Sequence, residues 1–247
     1  MHIIIPARYA SGRLPGKPLA DVAGKTLLER VYDRARASEA RWVTIATDDQ
    51  RIAKAARIFG ADVIMTHGSH RSGTERIGEV INRLGIKPDE IVVNLQGDEP
   101  LMPPGLIRSV ANRLDRERGA ASVATACHPI SDLATLVNAN AVKVVCDING
   151  YALYFSRAPI ALGGAQRHIG LYAYRAGFVT RFCYWPPCAL EEQEKLEQLR
   201  ILWYGERIAV TTTDETPPIG VDTAEDLERV RKIFSGKENA SEIRPIF

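Results

Sequence analysis

Short apolar runs recur along this chain, and amphipathic stretches with capping residues at their starts lie between them. Ile3–Ile5 are uniformly apolar rather than alternating, as a strand covered on both faces requires, and Pro6 closes the run. Thr26 and Glu29 have the spacing of a capping box, and Leu28, Val31, Tyr32 and Ala35 give the following helix an apolar stripe. WVTIAT reads as a second strand, IAKAARIF as a helix stopped by Gly60, and DVIMT as a third strand. Ser72 and Glu75 repeat the capping-box spacing before the helix TERIGEVINRL. EIVVNL, the loop QGDEP, the helix PGLIRSVANRL and the strand ASVATAC complete the alternation. This spacing predicts crossover units, hence an α/β fold with a mostly parallel, Rossmann-like sheet flanked by helices on both faces.

The rhythm changes near residue 140. AVKVVCD and YALYFSR flank Asn149-Gly150, the pair expected in a type I′ hairpin, and RHIGLYAYR is another strand-like run. Residues 140–185 thus read as an inserted antiparallel subdomain of the kind that projects and pairs. Residues 189–204 read as one helix with Glu192, Leu196, Leu199 and Trp203 on a face. ERIAVTTT is a strand, Thr223 and Asp226 cap a last helix through Phe234, and 235–247 lacks periodicity and reads as a flexible tail. At 247 residues the whole chain, 1–247, fits one domain with this appendage.

Charge excludes several classes. The 32 cations and 30 anions leave +2, against a nucleic-acid coat or a membrane-surface protein. No stretch approaches the ~20 apolar residues of a membrane helix, and the amino-terminal run is too short for a signal peptide. Cys127, Cys146, Cys183 and Cys188 form no CxxC pair and read as reduced cysteines of a cytoplasmic protein. The glycine fingerprint of a dinucleotide-binding dehydrogenase is absent.

Charge is instead local. Residues 7–25 hold Arg8, Arg13, Lys17 and Lys25 against Asp21 alone, on a bend made by Gly12, Pro15 and Gly16. At the carboxyl end of a first strand, such a loop is either an anion cradle or a solvated basic loop. Gln96-Gly97-Asp98-Glu99-Pro100 is either a Mg²⁺ site, since hard cations take oxygen ligands, or an acid-rich helix entry. Asp222, one residue before Thr223, is either part of a helix cap or a second metal ligand. A cationic and an acidic loop on one sheet edge favour a metal with a nucleotide.

Taken in order, PARYASGRLPGKPL, HRSGTER, NLQGDEP, NANAVKVVCD, GYALYFSRAPI, RHIGLYAYR, LEQLRILWYGE and GVDTAEDLERV resemble the 3-deoxy-D-manno-octulosonate (Kdo) cytidylyltransferases, from residue 3 to about 231. The resemblance implies a nucleotidyltransferase sheet and a cytoplasmic, Mg²⁺-dependent homodimer joined through the hairpin. The reaction implied is CTP with Kdo giving CMP-Kdo and pyrophosphate, ahead of lipopolysaccharide assembly. By the same resemblance Arg8, Arg13 and Lys17 would meet the CTP phosphates, and Ala7, Ser72, Gly73, Arg76 and Gln96 would line the nucleotide site. Gln96, Arg157, His168, Tyr172, Glu197 and Gln198 would bind the sugar acid, and Asp98 and Asp222 would hold magnesium. Lys17, Arg8, Asp98 and Asp222 would carry the chemistry.

Two departures stand out. Gly12 replaces the usual Ser or Thr, and the segment between Arg157 and His168 is shorter than the family usually carries. The alternative acceptors are therefore 8-amino-Kdo, another ulosonic acid or a sialic acid, and the alternative class is a nucleotide sensor without catalysis.

Overall fold

The computed structural model describes residues 1–10, 14–160, 164–215 and 219–237. In chain order its strands are β1 (His2–Ala7), β2 (Asp21–Val22), β3 (Lys25–Thr26), β4 (Trp42–Thr47), β5 (Asp62–Met65), β6 (Ile91–Asn94), β7 (Val123–Pro129), β8 (Lys143–Cys146), β9 (Ala152–Ser156), β10 (Gln166–Arg175) and β11 (Ile208–Thr212). The helices are α1 (Leu27–Ala37), α2 (Gln50–Ile58), α3 (Gly73–Leu84), α4 (Pro104–Arg116), α5 (Leu133–Val137), α6 (Ala176–Phe182), α7 (Ala189–Glu194), α8 (Gln198–Trp203) and α9 (Ala224–Phe234), with a 3-10 turn over Lys17–Leu19.

The main sheet runs β11-β7-β10-β6-β1-β4-β5. β1 is parallel to β4 and β6, β4 to β5, and β7 to β11. β10 alone is antiparallel to its neighbours β6 and β7. The expected mostly parallel sheet is therefore present with one reversed strand at its centre. Reversal places the first residues of β10 at the carboxyl ends of β6 and β7, where the loop after β6 emerges.

Uniform apolarity in β1 has the expected cause. Ile3 and Ile5 face one core with Leu28, Val31 and Ile107, and Ile4 faces another with Ile77, Val80 and Val179. All three isoleucines are fully buried, so truncating any one to alanine would cost about 2–5 kcal/mol. A third cluster, Val22, Leu27, Val221, Leu227 and Val230, seats α9 beside α1 and the β2–β3 ribbon, and so fixes the chain around Asp222.

Several local expectations are corrected. The 189–204 helix is broken: Lys195 adopts a left-handed conformation (φ 56) between α7 and α8, Leu196 and Leu199 are buried, and Trp203 is exposed. The hairpin turn is not type I′, because only Gly150 has a positive φ (77). The Asp147 carboxylate accepts from the N–H groups of Asn149 (2.9 Å) and Tyr151 (2.8 Å), and Gly150 N–H donates to Asp147 O (3.0 Å). A side chain that satisfies the turn's own donors selects a type I turn completed by a left-handed glycine. At α3 only half the capping box forms. Ser72 Oγ accepts from Glu75 N–H (3.2 Å), while the Glu75 carboxylate takes Arg71 N–H (2.7 Å). α5, α6 and the β2–β3 ribbon lacked a sequence signal strong enough to read.

Candidate active site

The loops after β1 and β6 meet through backbone. Leu95 N–H donates to Ile4 O (3.3 Å), and a Cβ at Gly97 would stand 2.8 Å from Pro6 O, so only glycine fits. Gly16 N–H donates to Tyr9 O (3.0 Å) and folds the amino-terminal bend back, with the Arg51 guanidinium over the Tyr9 ring. Val221 N–H donates to Asp98 O (2.8 Å), bringing the segment before α9 to the same point.

Lys17 lies at the convergence. Its ammonium is 2.7 Å from Asp98 Oδ2, 3.5 Å from Asp222 Oδ1 and 2.7 Å from Val221 O. Lys17 is buried, whereas the Asp98 side chain is 33% exposed and that of Asp222 is 53% exposed. The carboxylates thus remain accessible from solvent on the side away from the ammonium. Asp222 is not consumed by helix capping. Thr223 and Asp226 form the complete capping box of α9 between themselves. Glu99 is the third acid of the group. Burial, reinforced by the charges of Asp98 and Asp222, pushes its carboxyl up to about 8. Its Oε2 is buried and has no hydrogen-bond partner among the described residues.

These groups fit a magnesium ion. Two carboxylates from distant loops already share one cation position, and an orphaned carboxylate oxygen lies beside them. Among the described residues no group of three or more His, Cys, Asp or Glu has the geometry of a self-sufficient metal cage. Two carboxylates alone suit Mg²⁺, which keeps water and substrate phosphates as its other ligands.

The loop that carries Asp98 also puts Gln96 into the wall of a cavity of about 260 Å³, lined as well by Ser72, Gly73, Tyr172, Glu197 and Gln198, together with Thr74, Asn94 and Tyr174. After the break at Lys195 the chain puts Glu197 and Gln198 in this wall. Thr74 Oγ1 donates to Glu197, whose carboxyl is raised chiefly by burial. The Tyr172 hydroxyl is buried with no partner among the described residues, and burial raises its pKa. Asn94, Thr74 and Tyr174 were not singled out in the sequence. Tyr174 had a signal, since it lies two residues beyond Tyr172 on a strand and therefore on the same face.

Other expected site residues take different places. Ala7 is buried at the end of β1, and Arg8 is half-buried, with Nη2 donating to His70 O (2.5 Å). Arg76 is fully buried and does not line the cavity, with Nη2 3.2 Å from Asp48 Oδ2 and Nη1 donating to Thr66 Oγ1. The Arg157 guanidinium donates to Glu194 O (2.9 Å) and Ala139 O (3.1 Å), so it ties the hairpin to α7. His168 packs between the Phe155 and Tyr172 rings, with Nε2 2.9 Å from Thr125 Oγ1, and burial lowers its pKa to about 3. Neither Arg157 nor His168 lines the cavity. Arg13 and Gly12 lie outside the described residues, as do Ala161, Leu162 and Gly163 of the short segment.

The sequence profile described as cytidylyltransferase matches residues 2–208. The 3-deoxy-manno-octulosonate cytidylyltransferase of Pasteurella multocida (strain Pm70) is 51% identical over 253 residues, covering 94% of this chain and 97% of that protein. Its counterpart in Vibrio vulnificus (strain YJ016) is 54% identical, covering 95% of this chain and 98% of the relative. A solved structure of CMP:2-keto-3-deoxy-manno-octonic acid synthetase complexed with CTP is 38% identical and superposes with a TM-score of 0.88, covering 96% of this chain and 99% of that one. A putative glucose-1-phosphate thymidylyltransferase from Bacillus anthracis, at 13% identity and a TM-score of 0.68, shares the fold.

Proposed function

This chain belongs to the cytidylyltransferase family, and from that premise we propose that it transfers CMP from CTP to the anomeric hydroxyl of Kdo, releasing pyrophosphate. The observation that carries the reading is the Lys17 ammonium held by Asp98 and Asp222, with Asp98 on the loop whose Gln96 lines the cavity. A sensor that only bound nucleotide would have no use for two carboxylates apposed there. The acceptor hydroxyl attacks the α-phosphorus in line, and pyrophosphate leaves from the opposite side. Such a transfer asks little covalent chemistry of the protein beyond positioning and charge neutralisation.

Each group has a role within that scheme. Lys17 and Arg8 offset triphosphate charge, Arg with a fork that matches paired oxygens. Asp98 and Asp222 would hold Mg²⁺, which when bound lowers the pKa of a coordinated hydroxyl and neutralises phosphate charge. Lys17 offsets the repulsion between the two aspartates until that ion and the nucleotide arrive. Ser72 and Gly73, at the amino terminus of α3, offer the nucleotide backbone donors. Gln96, Tyr172, Glu197 and Gln198 present hydrogen-bonding groups to the acceptor's hydroxyls.

The homodimer, the cytoplasmic location and the place in lipopolysaccharide synthesis belong to the same proposal. Apolar side chains on α5 and the β8–β9 ribbon support self-association, since Leu133, Ile148 and Leu153 are all more than half exposed. Four unpaired thiols suit a reducing compartment, and no helix among the described residues is long and apolar enough to cross a membrane.

The deciding experiment is pyrophosphate release from CTP and Mg²⁺ with Kdo, its 8-amino analogue and a sialic acid in turn. Turnover with Kdo is expected. Release with none of the acids would overturn the reading, and release with a sialic acid alone would move the chain to a different acceptor.

A further inference from the structure

Thr74 is the second residue of α3 and is almost fully buried, and its hydroxyl donates to the Glu197 carboxylate across 123 positions of sequence. Both residues line the cavity. The support on the Thr74 side is rigid. Ser72 Oγ caps the helix by accepting from Glu75 N–H (3.2 Å). Gly73 rests against the end of β1, where a Cβ would stand 3.2 Å from Pro6 Cγ. A hydroxyl on such a turn can fix the group that it bonds.

Glu197 lacks comparable support from its own segment. It precedes α8, a helix of only six residues, and stands two residues after the left-handed Lys195. The cation of that helix, Arg200, is spent elsewhere. Its Nε donates to Glu191 Oε2 (2.6 Å), and its Nη1 donates to Trp185 O (3.1 Å). The Glu197 carboxylate is therefore held from α3 rather than from α8.

We infer that Thr74 is a positioning residue for the acceptor, its hydroxyl holding the Glu197 carboxylate in the cavity where the hydroxyls of the sugar acid bind. This rests on the function proposed above. In that reading Ser72 and Gly73 serve the nucleotide through backbone donors, which a change of side chain at Thr74 leaves in place. The two substrates can then be told apart.

The same bond acts on ionisation. Burial raises the Glu197 carboxyl, and the hydroxyls of Thr74 and Ser72 on α3 work against that rise by favouring the charged form. Arg200 favours the charged form as well, and Glu191 opposes it. On β10, burial raises the hydroxyls of Tyr172 and Tyr174. Burial also pushes the Cys183 thiol, at the end of α6, up to about 11. These three groups stay protonated where a carboxyl titrates. Loss of the Thr74 hydroxyl lifts the Glu197 carboxyl further, so a reaction that needs the carboxylate loses activity at a higher pH.

The test compares Thr74→Val, which keeps the shape and removes the donor, and Thr74→Ser, which keeps the donor, with the unaltered protein in pyrophosphate release and thermal unfolding. Thr74→Val is expected to raise the KM for Kdo by about tenfold, while the KM for CTP moves by no more than about twofold. The acid limb of kcat/KM for Kdo should move to higher pH in the Val variant. Thr74→Ser should bring both the KM and the limb back toward those of the unaltered protein. An unmoved acid limb, a KM for CTP rising in step with that for Kdo, or a Ser variant no better than Val overturns the inference. If Thr74→Val does not fold, Thr74→Ala removes the same hydroxyl and is judged by the same three outcomes. Should the unaltered protein release no pyrophosphate with any acid, the functional reading fails instead.

Discussion

Lys17 reaches Asp98 across 81 positions of sequence, with its ammonium 2.7 Å from Oδ2, and the same ammonium is 3.5 Å from Asp222. No local motif makes this arrangement. The amino-terminal bend, the loop after β6 and the segment before α9 must all dock before the three groups meet.

Asp222→Asn tests the arrangement directly. The amide keeps the shape and removes one carboxylate charge from the proposed magnesium pair. Turnover should fall by about 100-fold or more, while CMP affinity changes little. Steady-state kinetics over a range of Mg²⁺ concentrations should also show a higher requirement for the ion. Chelation should stop the unaltered protein, and added Mg²⁺ should restore it. Full turnover in the Asn variant would remove Asp222 from the chemistry.

Tyr172→Phe deletes a buried hydroxyl that has no partner among the described residues. Stability of the free protein should hold or rise slightly, because an unsatisfied polar group is lost with its burial cost. The KM for the acceptor should rise by about tenfold if that hydroxyl is completed by the sugar. Urea unfolding and kinetics on one preparation separate the effects; a large loss of stability would show the hydroxyl to be structural.

His168 gives a pH dependence with a defined sign. Its folded-state pKa is about 3 because of burial, against an ordinary 6.5 in the unfolded chain. Between those values the unfolded chain binds the proton and the folded chain does not. Stability is therefore present above pH 6.5 and is lost as pH falls toward 3, with a slope approaching about 1.4 kcal/mol per pH unit. His168→Gln should flatten that part of the profile. Urea midpoints measured across this window would check it, and parallel profiles for the two proteins would contradict it.

Ile148 and Leu153 lie on the β8–β9 hairpin and are exposed in the single chain. Ile148→Asp together with Leu153→Asp should convert a dimer to a monomer in sedimentation velocity, at protein concentrations where the unaltered chain is dimeric. Thermal stability of the monomer should change little, because exposed substitutions away from packing cost about 0.5 kcal/mol or less. An unaltered sedimentation coefficient would place the interface elsewhere.

The strands of the central sheet, most helices and the location of the acidic and cationic loops were legible because they rest on local rules. Two-sided burial demands uniform apolarity, as in Ile3–Ile5, and helix entry demands a side-chain acceptor, as at Thr26, Ser72 and Thr223. Competition between local and distant contacts was not legible. Residues 189–204 have helical periodicity throughout, yet the chain breaks at Lys195 and sends Leu196 and Leu199 into the core. Asn149-Gly150 is a hairpin signal whose turn type was reset by Asp147.

Sequence alone determined where the strands lie and the residue types gathered at the sheet's carboxyl edge, since apolar period and capping chemistry act over a few residues; it put 166–175 in an inserted ribbon, and only tertiary pairing set that strand between β6 and β7. Only tertiary structure decided which charges are available there. Arg157, given to the sugar acid by resemblance, is bound to backbone carbonyls, and His168, given the same role, packs between two aromatic rings outside the cavity. Whether a charged group is spent or spare depends on partners tens of residues away, and only the folded chain brings those within bonding distance.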